Sequence, residues 1–161
     1  RRPRSAWVAM EAAARAANGP APVFQPGLAR ALPRPRVAIG LDTSGSVDTH
    51  QLRLFAAEIA GIARRSGTEL HLLAFDESVH LSRRLDPARL HATLTALDLR
   101  REGGTAFTDV LAEAARLRAS LAVLLTDLDG PLPPRPALPV IWAVPRPVPP
   151  PPFGKVVTMD R

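Results

Sequence analysis

Cysteine and tyrosine are absent from the 161 residues, lysine occurs once at Lys155, and aromatic side chains make up only 4%. Without cysteine there are no disulfides and no thiolate metal sites, and the usage fits a reducing, cytoplasmic setting. Scarce aromatics remove the stacking platforms that single-stranded nucleic-acid binding needs. The formal charge is +6 and almost all the cations are Arg. They fall in scattered pairs, Arg64-Arg65, Arg83-Arg84 and Arg100-Arg101, rather than in a stripe. An Arg-, Ala- and Pro-rich composition of this kind reads as coding bias, with nucleic-acid binding as the weaker alternative. No apolar run approaches the roughly 20 residues of a membrane span. Basic residues open the chain, but the stretch behind them carries Glu11 and Arg15, so no signal peptide is expected. The first residue is not Met, which predicts a piece of a longer protein.

What is present is apolar: 46% of residues are hydrophobic, enough for one domain with a proper core. Residues 1–35 are rich in Arg, Ala and Pro, and predict a short helix over Ser5 to Ala17 followed by an extended connector to Pro35. From Arg36 to Arg161 the pattern is that of a second, folded domain. VAIGL, residues 37–41, reads as a strand buried on both faces. Asp48 reads as a helix cap, and Leu52, Phe55, Ile59 and Ile62 mark one helical face before Gly67 stops the helix. ELHLLAF, residues 69–75, and Val79 to Leu85 predict a hairpin around Asp76-Glu77-Ser78, the second strand lying at an edge.

Asp86-Pro87 predicts a helix to about Leu97, and Val110, Leu111, Ala114 and Leu117 mark the inner side of another. LAVLLTD, PVIWAV and KVVT supply the remaining strands, with Trp142 in the core and proline-rich loops around it. Strands alternating with helices predict a three-layer α/β fold, a mostly parallel sheet with one antiparallel edge strand and helices on both faces.

Two of the apolar strands end in acid. IGLDTSGSVD places Asp42, Ser44 and Ser46 at alternate positions as a strand ends, and LLTD ends at Asp127. Open α/β sheets bind ligands at this carboxyl edge, where strand order reverses. Gly103-Gly104 allows a loop to approach and aim Thr105 at the same edge. Asp42, Ser44, Ser46, Thr105 and Asp127 are all hard oxygen donors, which suit Mg2+, Mn2+ or Ca2+ rather than zinc or copper. The histidines, His50, His71, His80 and His91, form no metal set by spacing.

D-x-S-x-S behind a strand, a later Gly-Gly-Thr and a strand ending Thr-Asp resemble the metal-ion-dependent adhesion site of von Willebrand factor A (VWA) domains. The resemblance covers about residues 36–161. It is nearest to the bacterial VWA-like domains found C-terminal to a metallopeptidase-like domain, which share DTSGS, GGT, the V-x-W-x-V strand and a final G-K-V-V. Those relatives commonly carry Asp directly after the Thr, where this chain has Ala106, with Asp109 three residues on. The resemblance implies a Rossmann-like VWA fold, a site held by Asp42, Ser44, Ser46, Thr105 and Asp127, and a protein-binding module rather than an enzyme. It also implies that a partner carboxylate completes the ion's shell, with a MoxR-type AAA+ ATPase and an upstream metallopeptidase-like domain as partners.

Two other readings stand beside this one. The same hydroxyls cap turns and helices routinely, so a degenerate VWA scaffold without metal uses the same residues. LLTDLDG also resembles the nucleophile motif of haloacid-dehalogenase-type phosphatases, with Asp127 as nucleophile and Asp129 as acid and base. Against that reading, Pro131 follows the motif and too little chain remains for the later Lys and acids. Asp109 and Asp129 are further candidates to hold the serine hydroxyls from behind.

Overall fold

The computed structural model describes residues 34–44, 49–86, 89, 92–93 and 103–159, all within one compact unit, Arg34–Arg161. The expected helix over Ser5 to Ala17, and the side chain of Leu52, lie outside the described residues, as does most of the helix expected from Asp86. Within the latter, Thr93 N–H bonds to the Arg89 carbonyl four residues back.

Six strands and two helices make up the described unit: β1 Arg36–Asp42, α1 Thr49–Ser66, β2 Glu69–Phe75, β3 Val79–Leu85, α2 Phe107–Arg116, β4 Leu121–Leu125, β5 Val140–Val144 and β6 Lys155–Thr158. The sheet order is β3-β2-β1-β4-β5-β6. Every neighbouring pair is parallel except β2 and β3, which form the expected hairpin. Asp76 closes its turn, accepting the Ser78 N–H on its side chain. The chain therefore leaves β1 to one side through α1 and returns to its other side as β4. This places the topological switch point between the carboxyl ends of β1 and β4.

Alternation along the strands divides the core in two. Ile39, Leu41, Leu70, Leu72, Val123 and Leu125 face α1. Ala38, Leu73, Phe75, Ala122, Leu124 and Trp142 face α2. The two faces solve the same packing problem in opposite ways. On the α1 side, β1 presents large side chains and the helix answers with small ones, Ala56, Ala60 and Ala63. On the α2 side, β1 presents Ala38 and Gly40, and the helix brings Phe107, Val110 and Leu111. A β-carbon on Gly40 would stand 2.3 Å from Leu124 Cδ2 and 3.2 Å from both Phe75 and Val110. The missing side chain is what lets β4 and α2 close over the central strand.

This packing corrects one expectation. Ile62, assigned to the inner face of α1, is 58% exposed. The helix rests on its alanines because they permit close approach to the large β1 side chains, and Phe55 and Ile59 only flank that contact. On α2, Val110, Leu111 and Ala114 are buried as expected, and Leu117 packs at the margin. Gly67 ends α1 with φ +67°, and the following Thr68 N–H reaches back to the Ala63 carbonyl. Trp142 is fully buried, donates from Nε1 to the Phe153 carbonyl at 2.7 Å, and joins an aromatic chain Phe75–Phe107–Trp142–Phe153 with ring centroids 5.2–6.0 Å apart. Phe107, the first residue of α2, is thereby fixed beneath the loop that carries Thr105.

Candidate metal centre

Asp42 is the last residue of β1 and has no solvent exposure. It points to the α2 side because Gly40 and Ala38, two and four residues back, do the same. The next residue is still tied to the neighbouring strand β2: Thr43 donates from both N–H and hydroxyl to the Phe75 carbonyl, at 2.8 and 3.0 Å. This tie frees the chain to curl over the carboxylate, and Ser44 N–H donates to Asp42 Oδ1 at 3.0 Å. Ser44 is 8% exposed and sits within the same turn. Ser46 lies outside the described residues.

Two further segments converge on Asp42. Thr105, nearly buried, places its hydroxyl 3.4 Å from each carboxylate oxygen. Its loop is built against the β2–β3 turn: Ala106 N–H donates to the Asp76 carbonyl at 2.9 Å and Gly104 N–H to Glu77 Oε1 at 3.2 Å. Gly103 has φ +119°, and a β-carbon there would lie 3.8 Å from the Asp76 carboxyl group, so it is the backbone conformation rather than lack of space that calls for glycine. The third segment follows β4. Thr126 is fully buried and donates to Asp42 Oδ2 at 2.6 Å, while Asp127 is half-buried and accepts the Asp129 N–H at 3.1 Å. Gly130 then packs on the Thr105 loop so tightly that a β-carbon there would lie 2.6 Å from the Thr105 carbonyl oxygen.

The structure thus brings Asp42, Ser44, Thr105 and the Thr126-Asp127 segment to one edge. Asp109 and Asp129 are both exposed. Sequence reasoning gave Thr126 no role of its own, although a signal existed. Leu41 pairs with Leu125 in parallel register, so the next residues, Asp42 and Thr126, are neighbours on the same face. Period-two alternation from Ala122 and Leu124 points Thr126 toward α2 and hence toward Asp42.

A family model described as VWA-like domain (DUF2201) matches residues 37–160. The chain belongs to this VWA-like family. No match is found among curated protein sequences. Among solved structures, the VWA-like domain is similar to an aerotolerance-related membrane protein from Bacteroides fragilis carrying multiple mutations to serine, with TM-score 0.55, 14% identity, and 68% of this chain and 67% of that one covered. It is also similar to the conserved hypothetical protein BatB from Bacteroides thetaiotaomicron, with TM-score 0.53, 13% identity, and 68% and 66% covered. At these identities the likeness is one of fold, and the chain spans about two thirds of either structure. No described helix is long and apolar enough to cross a membrane.

The donor set of the VWA-like domain fits a hard divalent cation. Among the described residues no Lys, Arg or His pairs with Asp42, and no three His, Cys, Asp or Glu side chains cluster. A softer, nitrogen- or sulfur-preferring metal therefore finds no set of ligands among them. Adjacent oxygens around Mg2+, each 2.0–2.1 Å from the ion, lie about 3 Å apart. The 3.4 Å separations of Thr105 Oγ1 from the Asp42 oxygens are a few tenths of an ångström from that spacing. They are also long for O–H···O bonds, so Thr105 is loosely held to Asp42 and keeps lone pairs to offer. Ala106 follows Thr105 directly. It caps α2 in an extended conformation without a side-chain hydrogen bond, and Asp109 one turn into the helix points to solvent.

Proposed function

We propose that this VWA-like domain is a metal-ion-dependent protein-binding module, in which Asp42, Ser44, Ser46, Thr105 and Asp127 hold Mg2+, or Mn2+ or Ca2+ in its place. The observation that carries the reading is a carboxylate with no exposure, ringed by hydroxyls and paired with no cation among the described residues. An ionised carboxylate removed from water costs several kcal/mol unless a counter-charge or good hydrogen bonds compensate. Here the hydroxyls supply hydrogen bonds but no charge.

When bound, a divalent ion supplies the counter-charge and an electrophilic centre that accepts a further oxygen ligand. The residues of the chain divide the remaining work. Asp42 and Asp127 supply the only formal negative charge of the set. Ser44, Ser46 and Thr105 add neutral oxygens that leave the ion electron-poor. With the ion held by these residues, an Asp or Glu of a partner would complete its shell, and binding would be by coordination, with no bond broken and no enzyme activity. Asp127 is half-buried, which supports its access to such a partner. By family resemblance the partners are a MoxR-type AAA+ ATPase and an upstream metallopeptidase-like domain, and the setting is cytoplasmic.

One observation favours the metal-free scaffold as the second reading. The hydroxyls of Thr105 and Thr126 both face Asp42, so the carboxylate is partly satisfied by the protein alone. Binding of the purified VWA-like domain to a purified MoxR-type ATPase separates the two. The metal-dependent module binds in magnesium, and loses binding in EDTA and in Asp42→Ala. Binding that persists in EDTA and in the variant contradicts it.

A further inference from the structure

Of the Thr-Asp strand end only Asp127 is an implied ion ligand, yet among the described residues Thr126 makes the shortest hydrogen bond to Asp42. Its hydroxyl lies 2.6 Å from Asp42 Oδ2, against 3.0 Å for the Ser44 amide and 3.4 Å for Thr105. A hydroxyl has one proton and two lone pairs. The Leu128 N–H, 3.0 Å from Thr126 Oγ1, can only donate, so the Thr126 proton goes to the carboxylate. The bond to Asp42 is of the short, charge-assisted kind. Thr126 is itself held from behind, because its N–H donates to the Ala143 carbonyl of β5 at 3.1 Å. Leu128, whose N–H donates to this hydroxyl, has φ +63°, a conformation costly for a side chain without local hydrogen-bonding capacity. The turn that carries Asp127 therefore depends on the same hydroxyl that orients Asp42.

We propose that Thr126 is the positioning residue of the divalent-ion site, its hydroxyl aiming the Asp42 carboxylate and at the same time fixing the turn that presents Asp127. The proposal rests on the metal-binding reading above. It assigns Thr126 no direct contact with the ion. Groups that orient metal ligands in this way typically change metal affinity by 10–100-fold when removed.

The test is Mn2+ binding to the full 161-residue chain, followed by electron paramagnetic resonance, in wild type, Thr126→Val and Thr126→Ser. Thr126→Val keeps the β-branched shape and loses the hydroxyl, and its affinity falls about 10–100-fold. Thr126→Ser keeps the hydroxyl and binds close to wild type. A mere packing role predicts the reverse, with the serine variant the weaker. Wild-type affinity in Thr126→Val overturns this proposal alone, whereas absence of binding in the wild type overturns the metal site and this proposal with it. Should Thr126→Val not fold, the wild type still decides: the Leu128 amide resonance shifts on Mg2+ addition with the same midpoint as that of Ser44. An unmoved Leu128 amide contradicts the relay.

Discussion

Gly130 offers the sharpest test of how the proposed ion site is assembled. A β-carbon at this position would sit 2.6 Å from the Thr105 carbonyl oxygen, 3.1 Å from Thr105 Cβ and 3.3 Å from the Phe107 ring. The first is backbone, and Phe107 is locked between Phe75 and Trp142, so neither can swing aside. Gly130→Ala must therefore push the loop after β4 away from the loop before α2. Overpacking of this kind costs about 1–3 kcal/mol. For a chain of this length 1 kcal/mol lowers Tm by about 2–4 °C, so a loss near 2 kcal/mol lowers it by about 6 °C. The displacement parts the loop that carries Asp127 from the loop that carries Thr105, so divalent-ion affinity falls by more than stability alone accounts for. Differential scanning calorimetry in EDTA measures the first effect and Mn2+ titration the second. A Gly130→Ala protein with wild-type Tm and wild-type Mn2+ affinity would refute the packing of these two loops and the site built on it.

Other outcomes follow from the fold. Gly40→Ala loses about 1–3 kcal/mol by equilibrium urea unfolding, because the new methyl meets Leu124, Phe75 and Val110 in a closed core; Leu124→Val in the same chain recovers part of the loss, and strict additivity would contradict the contact. Glu113 responds to acid. Its bidentate ion pair with Arg116, helped by the Ser82 hydroxyl at 2.8 Å, lowers its pKa from 4.5 to about 2. The folded state thus holds this proton more weakly than the unfolded chain. The stabilisation is complete above about pH 4.5 and is lost as pH falls toward 2. Glu113→Gln flattens the fall of Tm over that window, and equal slopes in the two proteins would contradict the assignment.

Much of the sheet was legible because its strands are short apolar runs with clear ends, and the parallel layout follows from their alternation with helices. The ends of β1 and β4, and the Gly-Gly-Thr loop, pointed to one edge before any geometry was known. What was not legible depends on size matching between layers. Periodicity selects large apolar residues, so it chose Ile62 for the inner face of α1, where the β1 side chains leave room only for alanine. Gly40 reads as a weak point in a strand until Leu124 and Val110 are seen to fill its space. Thr126 reads as part of a Thr-Asp strand end at the right edge but without a role of its own, and only register with β1 shows that it faces Asp42. Gly130 stands out in sequence only as the end of LLTDLDG, and its packing requirement comes from a loop that precedes it by 25 positions.

The central claim is that a buried carboxylate and its ring of hydroxyls bind a divalent cation, and isothermal titration calorimetry with Mg2+ and Mn2+ tests it most directly. The wild-type domain binds one ion, and Asp42→Ala, with secondary structure unchanged by circular dichroism, binds none. A wild-type chain that takes up neither Mg2+, Mn2+ nor Ca2+ would contradict the account and leave the VWA-like fold as a metal-free scaffold.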